Sequence, residues 1–246
     1  MDPLDYRQSH LQKGADYDRD LSDGTFNTYM TQRERTLLPR IVKQLFPSVG
    51  PKYLDFACGT GRITSIVEPL ARESQGVDVS STMVDEAVKK CPRTRFVVRD
   101  LTSSALDDTN FELATAFRFF GNAEDSLRKA VLRAVSRHLV HGGYFVFNNH
   151  RNCGSGRALL QRATGRFEDG ADLDLAKLKI LLADAGFVVE RTTGIAWWLL
   201  ASRLDTPRTF SSPWVRLVEP LSTLDWLAPY CPAYIVVARK VGDPVG

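Results

Sequence analysis

From Lys52 onward, short apolar runs alternate with amphipathic stretches at the spacing of strand–helix units. Tyr53–Ala57, Ser74–Val79, Arg95–Arg99, Phe111–Phe117 and Tyr144–Asn148 read as strands. Arg62–Leu70, Thr82–Lys90 and Glu124–Leu139 read as the intervening helices. Ser80 or Ser81 caps the second helix, and His141-Gly142-Gly143 ends the third. Such alternation specifies a parallel sheet covered on both faces. Right-handed crossovers then bring every strand's C-terminal end to one edge, where ligands bind.

The flanks are less regular. Residues 1–30 are polar, a floppy leader or a segment that orders over a ligand. Thr31–Phe46 has helical periodicity through Leu37, Leu38, Ile41, Val42, Leu45 and Phe46, with a kink or a restart expected at Pro39. After His150 the rhythm breaks. An insertion is predicted over about 151–172, with a short helix over Arg157–Ala163. Asp174–Ala185 resumes as a helix stopped by Gly186, and Phe187–Thr192 and Ala233–Lys240 are the last strands. Residues 193–230, with Trp197, Trp198, Trp214 and Trp226, are irregular and expected to form a lid or substrate wall.

The densest chemical information lies in Tyr53-Leu54-Asp55-Phe56-Ala57-Cys58-Gly59-Thr60-Gly61-Arg62. A strand runs into two glycines and then a helix, so the backbone turns sharply and comes close to a ligand at Gly59 and Gly61. The helix N-terminus suits a carboxylate or phosphate. Asp55 suits an ammonium group. Asp78 ends the second strand and can accept both hydroxyls of a ribose. Asp100 ends the third strand and can accept from an adenine amino group, with Val79 and Leu101 on the ring faces. One ligand would satisfy an ammonium, a carboxylate, a ribose and an adenine together. A dinucleotide site of the G-x-G-x-x-G type fits poorly, since Thr64 takes the third glycine's place and Asp55 would face pyrophosphate. No G-x-x-x-x-G-K-[ST] phosphate loop occurs.

These residues resemble the class I S-adenosylmethionine-dependent methyltransferases, whose small-molecule branch carries LD-x-G-C-G-T-G. Ala57 stands where that branch usually has glycine. The resemblance covers residues 31–150 well and 174–240 more weakly. It implies an α/β fold with a seven-stranded sheet of order 3-2-1-4-5-7-6, strand 7 antiparallel and helices on both faces. It implies an enzyme with S-adenosyl-L-methionine as cofactor and S-adenosyl-L-homocysteine as product. Asp55, Ala57, Gly59, Gly61, Asp78, Val79, Met83, Asp100, Leu101 and Phe117 would bind the cofactor. A segment before the first strand would close over it through Tyr17, Tyr29 or Arg33; the alternative is that Tyr17 and Tyr29 only pack a helix. The division is then a cap over 1–30 and a methyltransferase domain over 31–246, with insertions at about 151–172 and 200–230.

Methyl transfer from a sulfonium needs in-line alignment and exclusion of water, helped by a base when the acceptor must lose a proton. Of four histidines, His138 and His141 precede strand five and read as surface residues, and His10 lies in the leader. His150 follows strand five on the cofactor side, in Asn148-Asn149-His150, and is the candidate catalytic base or orienting group; the alternative is a loop histidine bonded to nearby backbone. Arg118, Phe120, Asn149, Trp197 and Trp214 are candidate substrate contacts. Arg118 either holds an acidic substrate group or forms an ion pair. The expected acceptor is a small molecule, most simply a sugar-containing, lipid-like or natural-product hydroxyl. A small amine, a nicotinamide nucleotide site and a catalytically silent binding module are the alternatives.

Composition narrows the partners. The formal charge is +3 with 32 basic and 29 acidic side chains, and no Lys/Arg block of the nucleic-acid type occurs. The strand-four loop lacks [D/N]-P-P-[Y/F], so strand four offers no support for nucleic-acid bases as acceptors. No run approaches the roughly twenty apolar residues of a membrane span. Four scattered cysteines without a CxxC pair predict no metal and a reducing, cytoplasmic location. The oligomer is left as monomer or homodimer.

Overall fold

A computed structural model describes residues 25–165, 172–197 and 212–244. Helix α1 (Thr25–Leu45) leads into β1 (Lys52–Phe56), α2 (Thr64–Val67), β2 (Glu73–Asp78), α3 (Ser81–Lys90), β3 (Arg95–Val98) and β4 (Phe111–Ala116). Then come α4 (Asp125–His138), β5 (Leu139–Asn149), α5 (Gly156–Ala163), α6 (Leu175–Asp184), β6 (Phe187–Ile195), α7 (Pro213–Val218) and β7 (Ala233–Lys240). The sheet has seven strands in the order β3-β2-β1-β4-β5-β7-β6. All pairings are parallel except those of β7, which runs antiparallel to β5 and β6. The expected order and the antiparallel seventh strand are both present.

Alternation along the strands builds two cores, one on each face of the sheet. Leu54 and Phe56 of β1 join Ala114, Phe145, Phe147, Val131 and Leu178 on the side of α4 and α6. Tyr53, Leu113, Val146 and Ile235 face the other way, onto Leu38, Ile41 and Val42 of α1. That second contact explains why Pro39 does not end α1. Ile41 and Val42 are 4% and 1% exposed, and their burial holds the turn beyond the proline against the sheet. A boundary at 30/31 falls inside this one continuous helix.

Three local expectations are corrected. The Gly142-Gly143 pair does not terminate α4, because β5 already begins at Leu139. Phe111 pairs with Leu139 and Leu113 with Tyr144, so a two-residue step on β4 faces a five-residue step on β5, and Gly142 at φ +80° lies in that irregularity. The helix after the glycine turn is short, Thr64–Val67, because Pro69 draws the next turn into a 3-10 helix, Glu68–Leu70. His138 is not a surface residue. It is 1% exposed, its Nε2 accepts from the Leu106 N–H at 3.0 Å, and its Nδ1 lies 2.7 Å from the Ala134 carbonyl. Since Nε2 accepts, Nδ1 carries the proton.

The region expected to be irregular over 193–230 continues β6 to Ile195. It later forms α7 and 3-10 turns at Glu219–Thr223 and Ala228–Tyr230. Residues 1–24, with Tyr17 and His10, and 166–171 and 198–211, with Trp198, lie outside the described residues. No helix among the described residues is long and apolar enough to cross a membrane. All four cysteines are free and buried.

Candidate active site

The C-terminal ends of β1, β2, β3 and β4 open onto a cavity of about 910 Å³, its open mouth included. The turn after β1 makes its floor. Ala57, Gly59 and Gly61 all have positive φ, at 52°, 54° and 76°. For Ala57 that conformation costs about 1–2 kcal/mol relative to glycine. It is the position where the signature usually carries glycine. Gly59 lines the cavity, and a Cβ built there would meet Met83 Sδ at 3.6 Å on the same wall. Gly61 does not line it. A Cβ at Gly61 would press on Ala87 of α3 at 3.1 Å, so this glycine is needed for the helix packing behind the turn.

Asp78 couples the turn to the end of β2. Its Oδ2 accepts from Gly59 N–H at 2.8 Å and its Oδ1 from Ser80 N–H at 2.9 Å. Ser80 in turn caps α3, accepting from Met83 N–H. Asp100 accepts from the Thr102 N–H at 2.9 Å and hydroxyl at 2.6 Å. Asp78, Asp100, Val79, Leu101, Met83 and Phe117 all face the same cavity as Gly59 and Ala57.

Asp55 also borders the cavity but is 1% exposed. Its oxygens accept from the Thr64 hydroxyl at 2.6 Å and the Thr115 hydroxyl at 2.7 Å, and Thr115 bonds the Tyr53 hydroxyl at 2.7 Å. Burial pushes its pKa up to about 6, although the three hydroxyls pull the other way. Thr64, which breaks the dinucleotide pattern, has a positive reason to be threonine: it supplies the hydroxyl that holds this carboxylate.

A second polar cluster closes the cavity beside β4. Glu34 of α1 is wholly buried, and its carboxylate accepts from Arg62 Nη1 at 2.5 Å, Arg118 Nε at 3.3 Å and Asn148 Nδ2 at 2.8 Å. Arg118 sits at φ +61° and its N–H donates to Asn148 Oδ1 at 2.7 Å. Its guanidinium also donates to Asn27 Oδ1 at 3.0 Å. Burial would raise the Glu34 pKa, but the arginines outweigh it and hold the carboxyl below its usual range. Of the two uses considered for Arg118, the ion pair is formed, and it is buried.

His150 lies next to this cluster, at the end of β5. Its ring packs on Gly121, where an added Cβ would stand 3.0 Å from Cε1. Nδ1 is shielded and has no hydrogen-bond partner among the described residues. Burial, then Arg118, Arg151 and Arg62, depress its pKa well below 6.5, so the imidazole is neutral at pH 7.

Other candidates are placed elsewhere. Phe120 is fully buried among Phe119, Phe145 and Phe147 and is core. Asn149 is also fully buried, donating to the Leu173 carbonyl and the Tyr234 hydroxyl. Tyr29 packs in the α1 core, and Arg33 pairs with Glu219 at 3.2 Å. Trp197 is half-buried and donates to the Val218 carbonyl, whereas Trp214 is exposed. Glu34, Arg62 and Thr115 were not singled out from sequence, and Asn148 only as a member of the Asn148-Asn149-His150 cluster. Glu34 carried a usable signal: it falls one turn before Leu37 and Leu38 on the apolar stripe of α1, where a carboxylate needs a buried partner. Among the described residues no group of three or more His, Cys, Asp or Glu could hold a metal ion.

Residues 54–143 match the family model described as a methyltransferase domain. A demethylmenaquinone methyltransferase from Thermotoga maritima is 34% identical over 108 residues, 43% of this chain and 46% of the relative. The match thus spans under half the length of that curated relative. Among solved structures, a magnesium protoporphyrin IX methyltransferase from Synechocystis with bound S-adenosylhomocysteine superposes with a TM-score of 0.66. It is 17% identical, with 95% of this chain and 97% of that one covered. The N-methyltransferase NodS from Bradyrhizobium japonicum superposes at 0.58 and 15% identity, over 96% of each chain. A methyltransferase from Clostridium acetobutylicum gives 0.61 at 16% identity, over 92% of this chain and 99% of that one.

Proposed function

We propose that the class I S-adenosylmethionine-dependent methyltransferase domain carried by this chain transfers its methyl group to a hydroxyl of a small molecule. S-adenosylmethionine supplies, when bound, a methyl already activated on a sulfonium. The observation that carries the assignment is the placement of Asp55, Asp78 and Asp100 at or beside the ends of three adjacent strands around one cavity, floored by Gly59. The residues fit the cofactor: Gly59, at a positive φ that favours glycine, brings backbone to the cavity floor, and Asp78 and Asp100 present their carboxylates to the same cavity. Asp78 takes the ribose hydroxyls, and Asp100 the adenine amino group, with Val79 and Leu101 against the ring. Asp55 faces the ammonium. Phe117 walls the transfer end. The solved neighbours that hold S-adenosylhomocysteine support the same cofactor.

The hydroxyl preference rests on the His150 imidazole beside the loop after β4, whose Nδ1 has no partner among the described residues. A hydroxyl that attacks the methyl must give its proton to a neutral acceptor. His150, uncharged at pH 7, is that acceptor in this reading. Aromatic surface around the cavity suits a ring or an apolar chain on the acceptor. Calorimetric titration with S-adenosylmethionine, S-adenosylhomocysteine and NAD⁺ tests the cofactor. Tight binding of the first two and none of the dinucleotide is expected, and the reverse refutes it. Transfer of labelled methyl to a panel of small hydroxyl and amine acceptors tests the chemistry, and labelling of amines alone refutes the hydroxyl assignment.

A further inference from the structure

Glu34 joins four parts of the fold that are far apart in sequence. Its carboxylate, on α1, is reached by Arg62 of the glycine turn, Arg118 of the loop after β4 and Asn148 of β5, which are 28, 84 and 114 residues away. Asn148 closes a ring, donating to Glu34 through Nδ2 and accepting the Arg118 N–H through Oδ1. Both arginines line the cavity, and Glu34 is 0% exposed behind them. An ion-pair staple holding α1 to the sheet would not need its cations on the cavity wall.

We propose that Glu34 is a positioning residue that also sets the charge at the methyl-donor end: it holds Arg62 and Arg118 in place and offsets their field, so that the site accepts a sulfonium cation. The inference rests on the methyl-transfer assignment above. The donor carries a positive charge on sulfur that the demethylated product lacks. Removing one buried negative charge beside the cavity therefore weakens donor binding more than product binding, whatever other partners the arginines have. A unit charge acting through partly solvated protein over several ångströms changes an affinity by about three- to tenfold.

The experiment is calorimetric titration of S-adenosylmethionine and S-adenosylhomocysteine into the intact chain and four variants. Glu34→Gln is expected to raise the ratio of donor Kd to product Kd about three- to tenfold. Glu34→Asp, which keeps the charge, should leave the ratio near the parent value even if both affinities fall. Arg118→Gln should move the ratio the opposite way. The Glu34→Gln/Arg118→Gln pair, which removes one charge of each sign, should bring it back toward the parent. Equal weakening of both ligands by Glu34→Gln, or no weakening of either, overturns the proposal and leaves Glu34 a structural staple. If Glu34→Gln shows no cooperative melting, Arg118→Gln decides alone: an unchanged or raised ratio overturns the proposal. A parent chain that binds neither ligand overturns the methyltransferase assignment instead.

Discussion

Asp55→Asn separates what the site does for binding from what it does to stability. Burial raises the Asp55 pKa from 3.8 to about 6. A raised carboxyl pKa stabilises the fold where the folded state holds the extra proton, so this contribution is full below about pH 4. It is lost as pH rises toward 6. A shift of roughly 2 units corresponds to about 3 kcal/mol against the ionised folded state at pH 7.5. Asparagine removes the charge. Its oxygen can accept from Thr64, and its amide can donate to Thr115, which can turn its own proton to Tyr53. After allowing for the loss of two charge-assisted hydrogen bonds, a net gain of about 1–2 kcal/mol is expected at pH 7.5. That is about 2–8 °C in Tm for a chain of this size. Urea unfolding of parent and variant at pH 7.5 and pH 5 is the assay, and the gap should shrink at the lower pH as Asp55 takes up its proton in the parent. The same variant should bind S-adenosylmethionine more weakly, by about 1.5–3 kcal/mol for one lost charged contact. A variant less stable than the parent at pH 7.5, or a gap independent of pH, would refute the reasoning.

Three further outcomes are expected. Asp78→Ala removes the acceptor for Gly59 N–H and Ser80 N–H as well as the proposed ribose partner, so it should cost about 2–4 kcal/mol of cofactor binding by titration and lower the Tm of the free protein. Ala57→Gly relieves a positive φ and adds unfolded-state freedom; the balance is a gain of about 0.5–1 kcal/mol in urea unfolding. His150→Ala should lower turnover about 10²–10⁴-fold at saturating hydroxyl substrate with cofactor affinity little changed. Since the folded His150 pKa is depressed, its contribution to stability is present above about pH 6.5 and lost as pH falls below it, and the variant should show a flatter acid limb in its stability profile.

The fold was legible because strand–helix alternation and face-to-face periodicity are local signals. Tyr53 and Leu54 point to opposite faces, and each meets the core its neighbours in sequence announce. Where the sequence misled, a tertiary contact overrode a local rule. Pro39 lies inside α1, within the helix that the periodicity predicted, and no restart is needed because the residues after it are buried on the sheet. Gly142 and Gly143 looked like a helix stop, yet the register shift between β4 and β5 recruits them to a strand. His138 looked exposed because nothing in α4 shows that Leu106, 32 residues earlier, brings its N–H to the ring.

The site was legible where its residues stand at the ends of successive strands. Gly59, Asp78 and Asp100 follow one another at strand ends, so spacing alone places them on one edge. Glu34 and Asn148 cannot be paired by spacing, since 114 residues separate them. What the sequence did carry was an inconsistency, a carboxylate on the buried stripe of an amphipathic helix. A lone buried carboxylate would be protonated or would unfold its surroundings. The helix is nevertheless formed and Glu34 is held below its usual pKa, so cationic donors elsewhere in the chain had to converge on it. Arg62 also had a sequence signal, as the residue that follows the second glycine of the turn. A charged side chain that violates the pattern of its own element, read together with a cation at the glycine turn, is thus enough to predict that the first helix is fastened to the wall of the cavity.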